Sequence, residues 1–208
     1  MHAADSDTAS ASPAGWGGRG RWLNPPPAAR EDGHELVVTA AEGSDLWRTT
    51  GYGFVHDSGH ALLEPLTDGR AVEVSFVLDF EQIYDQAGVL LRVDEQTWVK
   101  SGIEVSDGVP QLGAVVTREF SDWSVAPVPS WQGGIITVRA SRSGDAVTLR
   151  ARTEREPWRM VRLAPVPVGA TVLAGPFCCA PSRAGLEVRF TTWVETAADA
   201  GLHEGPRD

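Results

Sequence analysis

From residue 35 onward the chain is a succession of short runs rich in Val, Leu, Ile, Thr and aromatic residues, each soon interrupted by Gly, Pro, Asp or Ser. That rhythm most constrains the fold, because closely spaced short strands with frequent turn signals mark an all-β sandwich or barrel. Candidate strands fall at 36–39, 53–56, 61–64, 71–80, 87–93, 97–105, 111–117, 135–141, 146–152, 158–162, 171–177 and 186–194. Asp68-Gly69, Asp107-Gly108 and Ser143-Gly144-Asp145 are hairpin turn signals, so consecutive strands are expected to pair antiparallel. Apart from a weak pattern in the last residues, no segment carries helical periodicity between an N-cap and a C-terminal Gly. Without helices to cover a parallel sheet, two packed antiparallel sheets are the expected architecture.

The 208 residues suit one large sandwich domain, and an apolar fraction of 42% is enough for a core. Residues 1–20, rich in Ala, Ser, Gly and Asp, are expected to form a mobile tail, as are residues 195–208. The folded domain is expected over 21–194, entered through Trp22-Leu23-Asn24 and the rigid run Pro25-Pro26-Pro27. A formal charge of -10 argues against nucleic acid, whose phosphates call for a clustered basic surface. No run approaches the roughly 18 apolar residues of a membrane span. The acidic N-terminal stretch lacks the basic and apolar regions of a secretory signal, and a cytoplasmic location is expected. Cys178 and Cys179 are adjacent and cannot staple distant segments, so a buried reduced pair is expected.

Successive side chains of a strand face opposite sides. Over 97–105 this puts Val99, Ser101, Ile103 and Val105 on a core face, and Trp98, Lys100, Gly102 and Glu104 on the other. The second set aligns a large ring, the only lysine of the chain, a position without a side chain, and a carboxylate. The preceding strand splits likewise: Ala87, Val89, Leu91 and Val93 face the core, whereas Gln86, Gly88, Leu90 and Arg92 share the polar face. Ser121-Asp122-Trp123-Ser124 follows the next strand and offers a further carboxylate and indole. The same alternation also fits an ordinary solvated face with Lys100 and Glu104 in cross-strand ion pairs. Trp98 speaks against that, since an exposed indole on a polar face calls for a cover.

Several stretches together resemble a known family: Asp-Leu-Trp-Arg-Thr-Thr-Gly-Tyr-Gly around Trp47, Gly59-His60, Tyr84-Asp85-Gln86-Ala87-Gly88, Trp98-Val99-Lys100-Ser101-Gly102-Ile103-Glu104, Val116-Thr117 and Ser121-Asp122-Trp123-Ser124. In this order they are similar to the family called domain of unknown function 1349, which includes the fungal regulation-of-enolase protein. The resemblance spans residues 22–193. It implies a concanavalin A-like jelly-roll sandwich of the lectin and glucanase kind. It implies little about activity, and carbohydrate binding follows from fold analogy alone.

Candidate ligand contacts are Trp47, Gln86, Arg92, Trp98, Lys100, Glu104, Asp122 and Trp123. His60 is a general base, a ligand-binding group or a metal ligand, or else a histidine that orders a loop through hydrogen bonds. Asp85 either orders a turn or meets ligand, and Asp122 either caps a turn or supplies a second carboxylate beside Glu104. Paired acids at alternating strand positions, common in glucanases of this fold, are not reproduced, because Ser106 stands two residues after Glu104. Serine-nucleophile, phosphate-loop and His-Glu-x-x-His motifs are missing, so no metal and no cofactor is expected. Three functions remain open: a binding protein for a small molecule or carbohydrate, a small-molecule enzyme with Glu104, Lys100 and His60 in acid-base roles, or a regulatory partner of a metabolic enzyme. A protein partner or self-association is compatible with each.

Overall fold

The computed structural model describes residues 16–206. It contains sixteen strands: β1 (Arg21–Leu23), β2 (Ala28–Asp32), β3 (Glu35–Thr39), β4 (Leu46–Arg48), β5 (Val55–Asp57), β6 (His60–Pro65), β7 (Arg70–Val77), β8 (Gln86–Arg92), β9 (Thr97–Ser106), β10 (Val109–Arg118), β11 (Phe120–Pro127), β12 (Ile135–Ser143), β13 (Ala146–Thr153), β14 (Arg159–Pro165), β15 (Leu173–Cys179) and β16 (Glu187–Ala197). The one helical element among the described residues is a single 3-10 turn, Pro129–Trp131. Two seven-stranded sheets form, ordered β1-β6-β15-β8-β9-β10-β11 and β14-β13-β12-β7-β16-β3-β2, and every strand pairing within them is antiparallel. The chain is an all-β sandwich of the jelly-roll type.

The expected alternation of side chains sets the inter-sheet core. Ala87, Val89, Leu91, Val99, Ile103 and Val105 of the first sheet meet Val74, Phe76, Ile136, Val138, Leu149 and Phe190 of the second. Ser101 also points inward, and its hydroxyl donates to Gly113 O at 2.9 Å, which satisfies a polar group inside the core. Three successive hairpin turns leave β8, β9, β10 and β11 as consecutive neighbours, so four successive segments build four of the seven strands of the first sheet.

Both ends of the folded unit reach further than the limits 21 and 194. Trp16 is buried, stacks on Trp193 with ring centroids 6.1 Å apart, and donates from Nε1 to His34 O. Arg19 lies over the Trp193 ring at 4.1 Å and pairs with Glu64. At the other end β16 continues to Ala197, and Asp199 receives both Arg139 and Arg150. Glycine-rich composition around Trp16 hid this, because its burial depends on a ring 177 residues away in the chain. The remainder of the expected N-terminal tail, residues 1–15, lies outside the described residues, as do residues 207 and 208.

Candidate ligand-binding site

The short strands β4 and β5 belong to neither large sheet. They pair with each other, Trp47 opposite His56, and lie as a strap on the outer face of the first sheet. Their connection, Thr49 to Phe54, turns through left-handed backbone at Thr49, Gly51 and Gly53. Glycine takes that conformation without the steric cost a β-carbon brings. Trp47 pins the connection by donating from Nε1 to Thr50 O at 2.9 Å.

Apolar packing holds the strap down. Leu46 and Trp47 sit in a second, smaller core with Ala61, Leu63, Leu90, Trp98, Val115 and Phe177. Burying a side chain of this size contributes about 1.5–3 kcal/mol each. Polar ties fix the ends: Arg92 makes a bidentate pair with Asp57 at 2.6 and 2.7 Å, Asn24 donates to Asp57 O and Gly59 O, and Ser121 Oγ accepts from Arg48 N.

Beside the strap opens a cavity of about 390 Å³. Its floor is the polar face of β8 and β9, where Gln86 stands opposite Glu104 and Leu90 opposite Lys100. Between those rows runs a line of bare backbone, Gly88, Gly102 and Gly113, across three adjacent strands. A β-carbon on Gly88 would meet Ser101 O at 2.1 Å, and one on Gly102 would meet Ala87 O at 2.1 Å, so the strands approach too closely there for any side chain. The wall is aromatic. Trp123, Trp47, Tyr52, Phe54 and His56 follow one another in ring contact at 6.3, 5.6, 5.2 and 4.7 Å. Gly43, Asp45, Tyr84, Pro181 and Ser182 complete the lining.

The floor is charged and largely buried. Lys100 donates to Gln86 Oε1 at 2.7 Å and to Asp45 Oδ1 at 3.2 Å. Burial works against its ammonium, but the charges of Asp45 and Glu104 and the Asp45 hydrogen bond outweigh it and hold the group above its ordinary value. Glu104 is shifted the same way for the opposite reason. Burial pushes its carboxyl up, Lys100 pulls it back, and Asp45 pushes it further up. Among the described residues no hydrogen bond reaches the Glu104 carboxyl. Such a carboxyl, within the field of an ammonium, can accept a hydrogen bond when ionised and donate one when protonated, and it is equally the arrangement of a proton-transfer site.

The residues singled out in the sequence separate into two groups. Trp47, Gln86, Lys100, Glu104 and Trp123 converge on the cavity. Arg92 shares their face, as expected, but its guanidinium is occupied by Asp57 of the strap. Trp98 is only 1% exposed and packs beneath the strap, so it supports the floor without lining it. Asp122 departs from expectation. It pairs with core-facing Val116, whereas Trp123 pairs with Val115, so the carboxylate turns away from the cavity and joins Arg162 at 2.8 Å. Adjacent strand residues cannot share a face, and Trp123 holds the position that faces the cavity.

His60 is not placed for general-base chemistry. Its Nε2 accepts from Ala41 N at 3.0 Å, which leaves Nδ1 to donate to Asn24 O at 2.8 Å, and both ring nitrogens are spent on ordering loops. Asp85 likewise orders a loop, buried and held by Arg183 at 2.6 Å. Cys178 and Cys179 are both free and buried; burial pushes Cys178 up to about 12 and Cys179 well above the usual thiol range, so neither is a ready nucleophile. Asp45, Tyr52 and Tyr84 are lining residues that strand periodicity could not find, because they lie in loops; Phe54 and His56 fall in the candidate strand 53–56, but nothing in its pattern assigned that strand to the site. Asp45 and Tyr52 stand within the Asp-Leu-Trp-Arg-Thr-Thr-Gly-Tyr-Gly stretch, which was the available signal.

Comparison with known proteins fits this architecture. Regulation of enolase protein 1 of Saccharomyces cerevisiae is 36% identical over 179 residues, covering 86% of this chain and 90% of the relative. A crystal structure of a functionally unknown Saccharomyces cerevisiae protein superposes with a TM-score of 0.79 at 36% identity, covering 86% of this chain and 96% of the other. The xylan beta-1,4-xylosidase of Bacillus halodurans shares the fold, with a TM-score of 0.62 at 15% identity; the match covers 78% of this chain and 33% of the enzyme. A family model matches residues 22–197, and the chain belongs to the family described as Protein of unknown function (DUF1349).

Proposed function

We propose that this protein binds a small polyhydroxylated molecule, of the carbohydrate class, in the cavity between the strap and strands β8 and β9. One observation carries the reading: a buried floor of mixed donors and acceptors faces a wall of aromatic rings that remain uncovered. Tyr52 is 60% exposed, Phe54 41% and Trp123 38%. A vicinal diol needs N–H groups that donate to its oxygens and a carboxylate that accepts from its hydroxyls, which Lys100, Gln86 and Glu104 offer together. Ring faces such as Trp123 supply the apolar half of the contact. The cavity volume lies at the small end of the ~300–1,000 Å³ typical of ligand sites. Two free buried cysteines fit a reducing, cytoplasmic setting.

Calorimetric titration with a panel of monosaccharides, sugar alcohols and methyl glycosides tests this. At least one member should bind the wild type, and its affinity should fall roughly three- to tenfold in Trp123→Ala, the worth of one ring contact. A wild type that binds none of them ends the proposal. Following each bound molecule for chemical change separates recognition from proton transfer at Glu104.

A second reading is favoured by the name of the yeast relative, which refers to regulation of enolase. Around the cavity mouth Tyr52, Val55, Ile83 and Tyr84 are exposed apolar residues that a protein partner could cover. Sugar-independent capture of a metabolic enzyme by the wild type, lost in Tyr52→Ser, would favour that reading.

A further inference from the structure

The cavity occupies one end of a larger face. The ten-residue strands β9 and β10 give the first sheet a length on the order of 30 Å along the strands, enough for a chain of several sugar rings. The far end of that face is also hollow: an open trough of about 900 Å³ lies at the β8–β9 and β10–β11 turns, lined by Trp22, Leu63, Arg92, Gln96, Arg118 and Leu173. On such a face a polymer would run from one hollow into the other.

The strap prevents this. Leu46 and Trp47 rest on residues from five neighbouring strands: Leu63 of β6, Phe177 of β15, Leu90 of β8, Trp98 of β9 and Val115 of β10. At the β11 side Trp47 meets Trp123 edge-on, and Arg48 donates to Glu119 O and Glu95 O. At the opposite side Asn24 and Arg92 hold Asp57. The strap therefore crosses the middle of the face and is tied at both margins. The two hollows share no lining residue.

What remains on the cavity side is small. The polar floor is two strands wide and is flanked across the strands by Trp123 of β11 on one side and by Pro181 and Ser182, which follow β15, on the other; Lys100 and Glu104 are four residues apart, about 13 Å along the strand. That is room for one ring flanked by its substituents.

We propose that the strap turns the polyol site into a blind pocket, specific for a single ring, either a free monosaccharide-sized molecule or the terminal ring of a glycoside, and closed to the interior of a polysaccharide. The inference rests on the polyol reading of the cavity. It makes Trp47 and its neighbours on the strap specificity-determining residues, because they set where a ligand must end.

The test is a chain-length series: xylo-, cello-, malto- and galacto-oligosaccharides of one to six rings, titrated against the wild type and Glu104→Gln. Affinity should change less than about threefold from one ring to six in any series that binds, and Glu104→Gln should weaken every length by the same factor. Hexasaccharide binding more than tenfold tighter than the single ring would overturn the blind pocket while leaving sugar recognition standing. Binding untouched by Glu104→Gln would place the ligand elsewhere, the open trough included, and overturn it too. No binding at any length would remove both this inference and the polyol reading.

Discussion

Two outer faces of this sandwich bury charge, and they treat it differently. On the second sheet Arg139 is 3% exposed, and its guanidinium reaches Asp199, Glu73, Thr196 Oγ1 and Ala197 O at 2.7–2.8 Å. Arg150 joins the same Asp199 and also donates to Leu202 O. Each charge there has partners within the chain, and the cluster clamps the segment after β16 onto the sheet. On the first sheet Lys100 is satisfied by Asp45 and Gln86, but Glu104 lines an open cavity with its carboxyl pushed up by burial. A buried charge with complete partners is architecture. A carboxyl left open beside an aromatic wall can be completed by a ligand, which is the basis for reading that face as the working one.

The largest effect that would break this contrast belongs to the clamp. Arg139→Ala leaves Glu73 without its cation and Asp199 with Arg150 alone, and should destabilise the fold by about 3–5 kcal/mol, measured by urea denaturation, without changing ligand affinity measured where the variant stays folded. A clamp variant that lost affinity while keeping stability would erase the distinction between the faces.

A smaller effect sharpens it through pH. Glu104 has a folded-state value raised above its unfolded one, so its contribution to stability is fully present below the ordinary glutamate value near ~4.3 and is lost as pH rises through the raised value. Replacing it by Gln removes that loss. Stability measured against pH should fall more steeply from pH 4 upward in the wild type than in Glu104→Gln, the difference growing until Glu104 is fully ionised. Parallel profiles would mean that Glu104 is an ordinary solvated acid.

The smallest expected effect concerns Asp122, whose carboxylate is well exposed and faces Arg162. Asp122→Asn should cost no more than about 1 kcal/mol and leave ligand affinity unchanged in the same titrations. A large affinity loss would bring Asp122 back into the site.

Much of the fold was legible because a strand's two-residue period is strict. Val99, Ile103, Ala87 and Val89 could be assigned to the core, and Lys100, Glu104 and Gln86 to one polar line, from alternation alone. Trp98 was legible as a covered ring, but its cover was not, since the contact with Leu46 and Trp47 joins segments about fifty residues apart. Asp122 and Trp123 show the rule misapplied: once 120–127 is a strand, only one of two neighbours can face the cavity. His60 shows a limit of residue type, because its role depends on two backbone partners, Ala41 and Asn24, that no spacing rule connects. Loop residues such as Asp45 and Tyr84 entered the site through backbone paths that carry no periodicity.

If Glu104 is placed for a ligand and not for the fold, one paired measurement shows it most directly: ligand affinity and urea midpoint, side by side, for Glu104→Gln. The expected result is at least a tenfold loss of affinity, about 1.4 kcal/mol, with a midpoint at neutral pH equal to or above that of the wild type. Affinity retained, or a midpoint that falls together with affinity, would contradict it.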